Sequence, residues 1–215
     1  MQRRALGRTL AVSIAVFAGV GCEPAPPPRP EPWPPVVGQQ FPEMTLIDHR
    51  GEPMPLSSLR GKVVLIDVIG MPCAGCIAFA GGDVHGPFAG VEPQPGLPSL
   101  EDLFADYAGG ASLTDPDLAV VQMLFFAPKM GLPTVAEAKQ WYEHFDLAAK
   151  PNHFVVIGPP GVPHVEAHPL IPGFWLLDRD FEVVVDATGS RQGHLYDELL
   201  PRAGELLRAA PASPR

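Results

Sequence analysis

The chain has 215 residues, 46% of them hydrophobic, and carries 24 acidic against 15 basic side chains, a formal net charge of −9. This length and apolar fraction are sufficient for one domain with a sizeable core. The negative charge argues against a partner such as nucleic acid or an anionic lipid surface.

Residues 1–22 are typical of an export signal. Three arginines precede an apolar run over residues 10–20, which is too short to span a bilayer comfortably. The run ends in glycine and Cys22 and resembles the lipobox of bacterial lipoproteins, which implies a lipidated Cys22 at the mature N-terminus and a membrane-tethered protein of the bacterial periplasm. Gly19 stands where that pattern prefers leucine, so ordinary signal cleavage stays open.

Residues 23–36 are dominated by proline and have few backbone donors for a helix or a sheet. We predict an extended polyproline tether, although such a segment can also serve as a recognition motif for a partner. The folded domain is predicted to span residues 37–210. Residues 211–215 are predicted to be a disordered tail.

The predicted domain starts with a β-hairpin that turns at Arg50-Gly51. It leads into a strand over residues 63–68, a continuous apolar run interrupted only by Asp67. Because the run does not alternate between apolar and polar residues, we expect the strand to be buried on both faces, as in the middle of an α/β sheet.

Cys73 and Cys76 follow this strand and are separated by two small residues. Two thiols at this spacing, where a strand ends and a helix begins, can close a disulfide with little motion, and a helix N-terminus favours the thiolate. If Cys22 carries a lipid, this pair contains the remaining cysteines. In an exported chain without other disulfides, such a pair is more typical of a reactive than of a structural disulfide.

The rest of the chain alternates between helix and strand signals. Glycines end the first helix, so that residues 81–98 form a long loop rich in glycine and proline beside the cysteines, of a length usually functional or mobile. The other predicted elements are a helix capped by Ser99 and Asp102, a buried strand over 118–126, a helix with a Thr134/Glu137 capping box, a strand over 154–158, a hairpin over 172–186, and a helix over 195–207 kinked at Pro201. This order predicts an α/β sheet with helices on both faces.

Three features in this order resemble the thioredoxin-like superfamily, and more closely its exported redoxin branch of membrane-anchored thiol-disulfide reductases and peroxiredoxin relatives. They are the block over residues 56–66, the dithiol after that strand, and Ile171-Pro172 before a hydrophobic strand that ends in Asp178. The resemblance implies a thioredoxin-like fold, with a central mixed β-sheet flanked by helices and the N-terminal β-hairpin as an extension.

The resemblance also implies roles for individual residues. Cys73 would attack a substrate disulfide and Cys76 would resolve the mixed disulfide. Asp67 would be the buried acid beneath them, its pKa raised by desolvation so that it accepts a proton from Cys76. The alternative is that Asp67 only hydrogen-bonds backbone. Ile171-Pro172 would be a cis-proline opposite the dithiol, presenting its preceding backbone to the substrate.

The chain departs from the family next to the cysteines. Met71-Pro72 stands where thioredoxins commonly have a tryptophan, so we assign Met71 and Pro72 to the substrate-binding surface. The residues between the cysteines lack the proline and the histidine of well-known relatives, so the direction of electron flow is left open. We expect no cofactor or metal, protein thiol or disulfide substrates, an upstream thiol reductant and a monomer.

Other interpretations of the cysteines stay open. The loop around them also resembles that of heavy-metal-associated domains, in which two thiolates hold Cu(I), so metal delivery is one alternative. A peroxiredoxin-type peroxidase is another, although Gly70 stands where those enzymes have a threonine. The third is a tethered binding module with a structural disulfide. His164 and His168 precede the expected cis-proline and could approach the dithiol, but these histidines and His85 are more often solvated surface.

Overall fold

The structure is a computed structural model that describes residues 30–159, 161–162 and 164–209. The predicted export signal with Cys22, the first part of the proline-rich segment and the predicted tail at 211–215 lie outside the described residues. Within the described part, no helix is long and apolar enough to cross a membrane.

The described elements follow the predicted alternation. The strands are β1 (Thr45–Asp48), β2 (Pro53–Pro55), β3 (Val63–Gly70), β4 (Leu118–Phe126), β5 (His153–Ile157), β6 (Gly173–Leu177) and β7 (Val183–Thr188). The helices are α1 (Ala74–Phe79), α2 (Gly82–His85), α3 (Leu100–Tyr107), α4 (Val135–His144), α5 (His164–Ala167) and α6 (Leu200–Arg208).

The seven strands form one sheet in the order β2-β1-β5-β4-β3-β6-β7. Strands β3, β4 and β5 are parallel to one another. On one side β6 pairs antiparallel with β3, and β7 pairs antiparallel with β6. On the other side β1 pairs antiparallel with β5 and with β2. All eight residues of β3 are buried, as expected for a strand with neighbours on both edges and cover on both faces. The mixed α/β sheet with an N-terminal hairpin is therefore confirmed.

The two faces of the sheet are covered differently. Helices α1, α3, α4 and α6 pack on one face through large apolar side chains such as Phe104 and Trp141. The opposite face is covered by α5, a 3-10 turn over Leu56–Leu59 and irregular chain that includes Phe41 and Phe181. Helical cover on that second face is thus limited to short pieces.

The packed part of the chain reaches back beyond the predicted boundary at residue 37. The ring of Trp33 lies 5.7 Å from that of Trp175 and 5.8 Å from that of Phe125. Burial of a large aromatic side chain stabilises the folded state, and the Trp33 ring is partly buried against the second face of the sheet. Within the segment predicted as a tether, Trp33 therefore contacts the domain, while Val36 and Val37 after it are exposed.

Local helix signals are confirmed in the structure. The Ser99 hydroxyl donates to Asp102 Oδ2 at 2.6 Å and accepts from the Asp102 N–H at 3.2 Å, and Thr134 and Glu137 form the complete capping box of α4. Pro201 lies in the first turn of α6, where its missing N–H is tolerated, and a wider π-type turn over Leu195–Leu199 precedes it. This turn replaces the single kinked helix that the sequence predicts there.

Candidate active site

The end of β3 places the dithiol at the edge of the sheet. The register between β3 and β4 shifts after Ile69, so that Gly70 pairs with Phe126, and the Met71 N–H donates to the Phe126 carbonyl at 2.9 Å. The chain then turns, and the Cys73 N–H donates a hydrogen bond to the Gly70 carbonyl at 3.0 Å. Cys73 is the N-cap residue of α1.

Cys73 and Cys76 are both free thiols in very different surroundings. Cys73 is partly exposed and its Sγ accepts a hydrogen bond from the Cys76 N–H at 3.2 Å, whereas Cys76 is fully buried. A hydrogen bond from the Cys76 thiol, helped by backbone N–H groups and opposed by burial, lowers the pKa of Cys73 to about 7. Burial, above all, raises the pKa of Cys76 well beyond its ordinary value. Cys73 therefore forms the nucleophilic thiolate more readily, and Cys76 favours its protonated form.

Asp67 lies beneath the two cysteines with 1% of its surface exposed. Neither carboxylate oxygen has a hydrogen-bond partner among the described residues, so the alternative role of bonding to backbone is not what the structure shows. Burial raises the pKa of Asp67 well above the ordinary value, and the nearby charge of Cys73 raises it further. A carboxyl group in this state can take up a proton that leaves Cys76.

Gln122 is a neighbour of Asp67 that sequence reasoning did not single out. The two residues are register partners on β3 and β4, so their side chains leave the same face of the sheet on strands about 4.8 Å apart. The indole N–H of Trp141 donates to Gln122 Oε1 at 2.9 Å, which fixes the orientation of the amide. The available signal was its position as a single polar residue inside the apolar run of β4.

The Ile171-Pro172 peptide bond is cis, as the resemblance implied. Pro172 packs against the dithiol helix, because a Cβ atom placed on Gly75 would lie 3.2 Å from Pro172 Cγ and 3.3 Å from Gln94 Oε1. The small residue between the cysteines is thus what lets the proline approach. This contact places the cis-proline segment next to the helix that holds Cys73 and Cys76.

A groove with a volume of about 180 Å³ opens beside the Cys73 sulphur. Pro72 and Ile171, two of the residues assigned to the substrate-binding surface, line it, whereas Met71 is fully buried. The assignment of Met71 to the substrate-binding surface is therefore corrected: its side chain packs inward, next to Cys76 and Ile77. The complete lining is Gly70, Pro72, Cys73, Phe126, Met130, His168 and Ile171.

The three histidines considered as neighbours of the dithiol lie in different parts of the structure. His168 lines the groove, with its ring 6.0 Å from that of Phe126 in an edge-on arrangement. The side chain of His164 lies outside the described part of the structure. His85 packs on Phe145 at 5.8 Å and faces a different cavity, under α3 and α4.

The loop over residues 81–98 is packed onto the domain. Phe88 is 5% exposed and its ring contacts that of Trp141 at 5.0 Å. The Gln94 N–H donates to the Ala74 carbonyl at 2.9 Å, which ties the loop to the first residue of α1. The segment thus contacts the domain beside the dithiol helix through Phe88 and Gln94, and it begins with the short helix α2.

In the residues that the structure covers, no group of three or more His, Cys, Asp or Glu side chains is placed to hold a metal ion.

Comparison with solved structures identifies the fold. A putative protein disulfide isomerase from Bacteroides thetaiotaomicron superposes with a TM-score of 0.51 at 17% identity, over 82% of this chain and 92% of that one. A putative electron transfer protein from Aquifex aeolicus gives 0.51 at 16% identity, over 79% and 94%. A thiol:disulfide interchange protein from a Bacteroides species gives 0.50 at 16% identity, over 82% and 93%. No protein-family model and no curated protein matches the sequence. The chain has a thioredoxin-like fold.

Proposed function

We propose that this chain is a thiol-disulfide oxidoreductase that works by dithiol-disulfide exchange through Cys73 and Cys76. The observation that carries the proposal is the asymmetry of the two thiols. Cys73 is accessible and has its pKa lowered to about 7, while Cys76 is buried beside an unpartnered Asp67. An exchange enzyme needs such a division between an attacking and a resolving sulphur.

The reaction proceeds in two balanced steps. The Cys73 thiolate attacks one sulphur of a substrate disulfide, so that a mixed disulfide forms and the other substrate sulphur leaves as a thiolate. Cys76 then gives its proton to the Asp67 carboxylate and attacks Cys73 Sγ. The Cys73-Cys76 disulfide forms, the substrate leaves reduced, and an upstream thiol reductant restores the dithiol.

The proposed location is the bacterial periplasm, with the chain tethered to the membrane. This part of the proposal is supported by the signal-like residues 1–22 and by Cys22 at the end of the apolar run. Trp33 contacts the domain, so a short proline-rich stretch before it would separate the lipid from the domain. The proposed partners are protein disulfides and a thiol reductant, and the proposed active unit is a monomer.

Trapping experiments test the exchange mechanism. In Cys76→Ser the resolving sulphur is gone, so incubation with a disulfide-containing protein should leave a stable mixed disulfide on Cys73, visible by non-reducing electrophoresis and peptide mass spectrometry. The matched control is Cys73→Ser, which should form no adduct because Cys76 is buried. The proposal fails if Cys76→Ser accumulates no adduct through Cys73, or if both variants accumulate it equally.

A further inference from the structure

Met130 stands beside the reactive sulphur on an unusual backbone. It lines the groove that contains Cys73 and His168, and its side chain is 50% exposed. Its φ of 64° lies in the left-handed region, which residues other than glycine adopt rarely. The methionine thus adopts an unfavourable conformation with half of its surface in solvent.

A tight turn after β4 holds this residue in place. The Met130 N–H donates to the Ala127 carbonyl at 2.9 Å across a turn with proline at its second position, and the Ala127 N–H donates to the Gly131 carbonyl at 2.9 Å. In turns of this kind the left-handed position is usually glycine. Here the glycine comes one residue later, and an apolar side chain projects at the left-handed position instead.

Among the described residues that line the groove around Met130, none is Asp, Glu, Lys or Arg. Pro72, Phe126 and Ile171 supply apolar walls, in a protein whose sequence carries a net charge of −9. A carboxylate that enters such a groove loses water, meets no ammonium or guanidinium group in the lining and approaches the Cys73 thiolate, whereas an apolar group gains from the contact. Since the groove contains Cys73 Sγ, its occupant under the proposed function is the chain that flanks a substrate disulfide.

We propose that Met130 selects substrates in which an apolar side chain stands next to the attacked cysteine. This inference rests on the proposed exchange function and adds a substrate class to it: protein disulfides with an apolar flank are preferred over those with a carboxylate flank. Met130 contacts the flanking residue and is a specificity-determining residue. It takes no part in the bond changes at sulphur.

Two model substrates test the selection. They are disulfide-linked peptides of the same length that differ only in the residue before the cysteine, leucine in one and aspartate in the other. For the unmodified chain we expect kcat/KM for the leucine peptide to exceed that for the aspartate peptide about tenfold, the size typical of one apolar contact. Met130→Lys should reduce this ratio to near one or reverse it, because it removes the apolar contact and attracts the carboxylate. Met130→Leu should retain it.

Leu132 provides the matched control. It is 62% exposed, lies in the same loop and is not part of the groove, so Leu132→Lys should leave the ratio unchanged. The inference is overturned if the unmodified chain does not distinguish the two peptides, if Met130→Lys keeps the original ratio, or if Leu132→Lys alters it as much. Failure of the unmodified chain to exchange with either peptide would instead contradict the proposed function.

Discussion

Pro172 packs so closely on Gly75 that a Cβ atom at residue 75 would lie 3.2 Å from Pro172 Cγ. This contact joins the cis-proline segment to the helix that holds both cysteines. That distance for the added Cβ atom is shorter than ordinary van der Waals contact, so a side chain at residue 75 must displace Pro172 or the Gln94 amide. The geometry of the groove beside Cys73 therefore depends on a glycine between the cysteines.

Gly75→Ala is expected to slow exchange with protein disulfides by about three- to tenfold, because the proline must move by a few tenths of an ångström and a misplacement of about 1 Å costs about 10²-fold. Stopped-flow measurement of mixed-disulfide formation checks the rate. Gly193→Ala is the matched control, since a Cβ atom there would meet nothing within 4 Å. Equal rates for Gly75→Ala and the unmodified chain would show that Pro172 does not position the substrate.

The alkylation rate of Cys73 should follow its thiolate fraction. Because the pKa of Cys73 is lowered to about 7, the rate with iodoacetamide should rise through pH 7 and level off above pH 8, while buried Cys76 stays unmodified. Mass spectrometry of peptides assigns the site. Cys76→Ala removes the thiol that donates to Cys73, so the rise should move to higher pH. A profile that does not move in this variant would contradict the proposed origin of the shift.

Asp67 should make stability depend on pH. Its pKa is raised by burial and by the charge of Cys73, so the folded state favours the neutral carboxyl. The stabilisation is complete below the ordinary carboxyl pKa and is lost as pH rises through the raised pKa of Asp67. Asp67→Asn should remove this decline, because the amide occupies the same buried site but does not ionise. Urea unfolding across pH measures the effect, and parallel pH curves for the two proteins would contradict the assignment.

The sequence predicted those parts of the site that depend on neighbouring residues. The apolar run before Cys73, the two-residue spacing to Cys76 and the serine and threonine caps act within a few residues, and each recurs in the structure. The acid beneath the dithiol was implied by the resemblance to thioredoxins, since Asp67 stands six residues before Cys73. Its lack of a hydrogen-bond partner required the packed structure.

The parts that were missed depend on contacts between distant segments. Met71 and Pro72 are adjacent, yet Met71 packs inward and Pro72 lines the groove, a difference set by the turn at the end of β3. Met130 reaches the site only because β4 runs parallel to β3 and ends beside it. Trp33 follows a run of prolines that suggests a tether, and its packing depends on the second face of the sheet, which helices cover only in part.

Trp33 should stabilise the domain rather than act as part of a free tether. Trp33→Ala removes its ring contacts with Phe125 and Trp175 and should lower the free energy of unfolding by about 2–3 kcal/mol, below the cost for a fully buried tryptophan because the ring is only half-buried. Val37→Ala, at a side chain 52% exposed, is the control and should change stability by less than about 0.5 kcal/mol. Equal free energies of unfolding of the two variants in urea would contradict a stabilising role for Trp33.

The Trp141-Gln122 hydrogen bond should couple α4 to the buried acid. Gln122→Leu leaves the Trp141 N–H without its acceptor and should destabilise the fold by about 1–3 kcal/mol, whereas Trp141→Phe combined with Gln122→Leu should recover part of that loss because both polar groups are then gone. Gln122→Leu should also raise the pKa of Asp67 further, since an amide next to the carboxyl is replaced by an apolar group. The pH at which stability declines should therefore move upward in this variant. A double-mutant cycle measured at several pH values tests both effects, and simple additivity with an unmoved pH dependence would contradict the coupling.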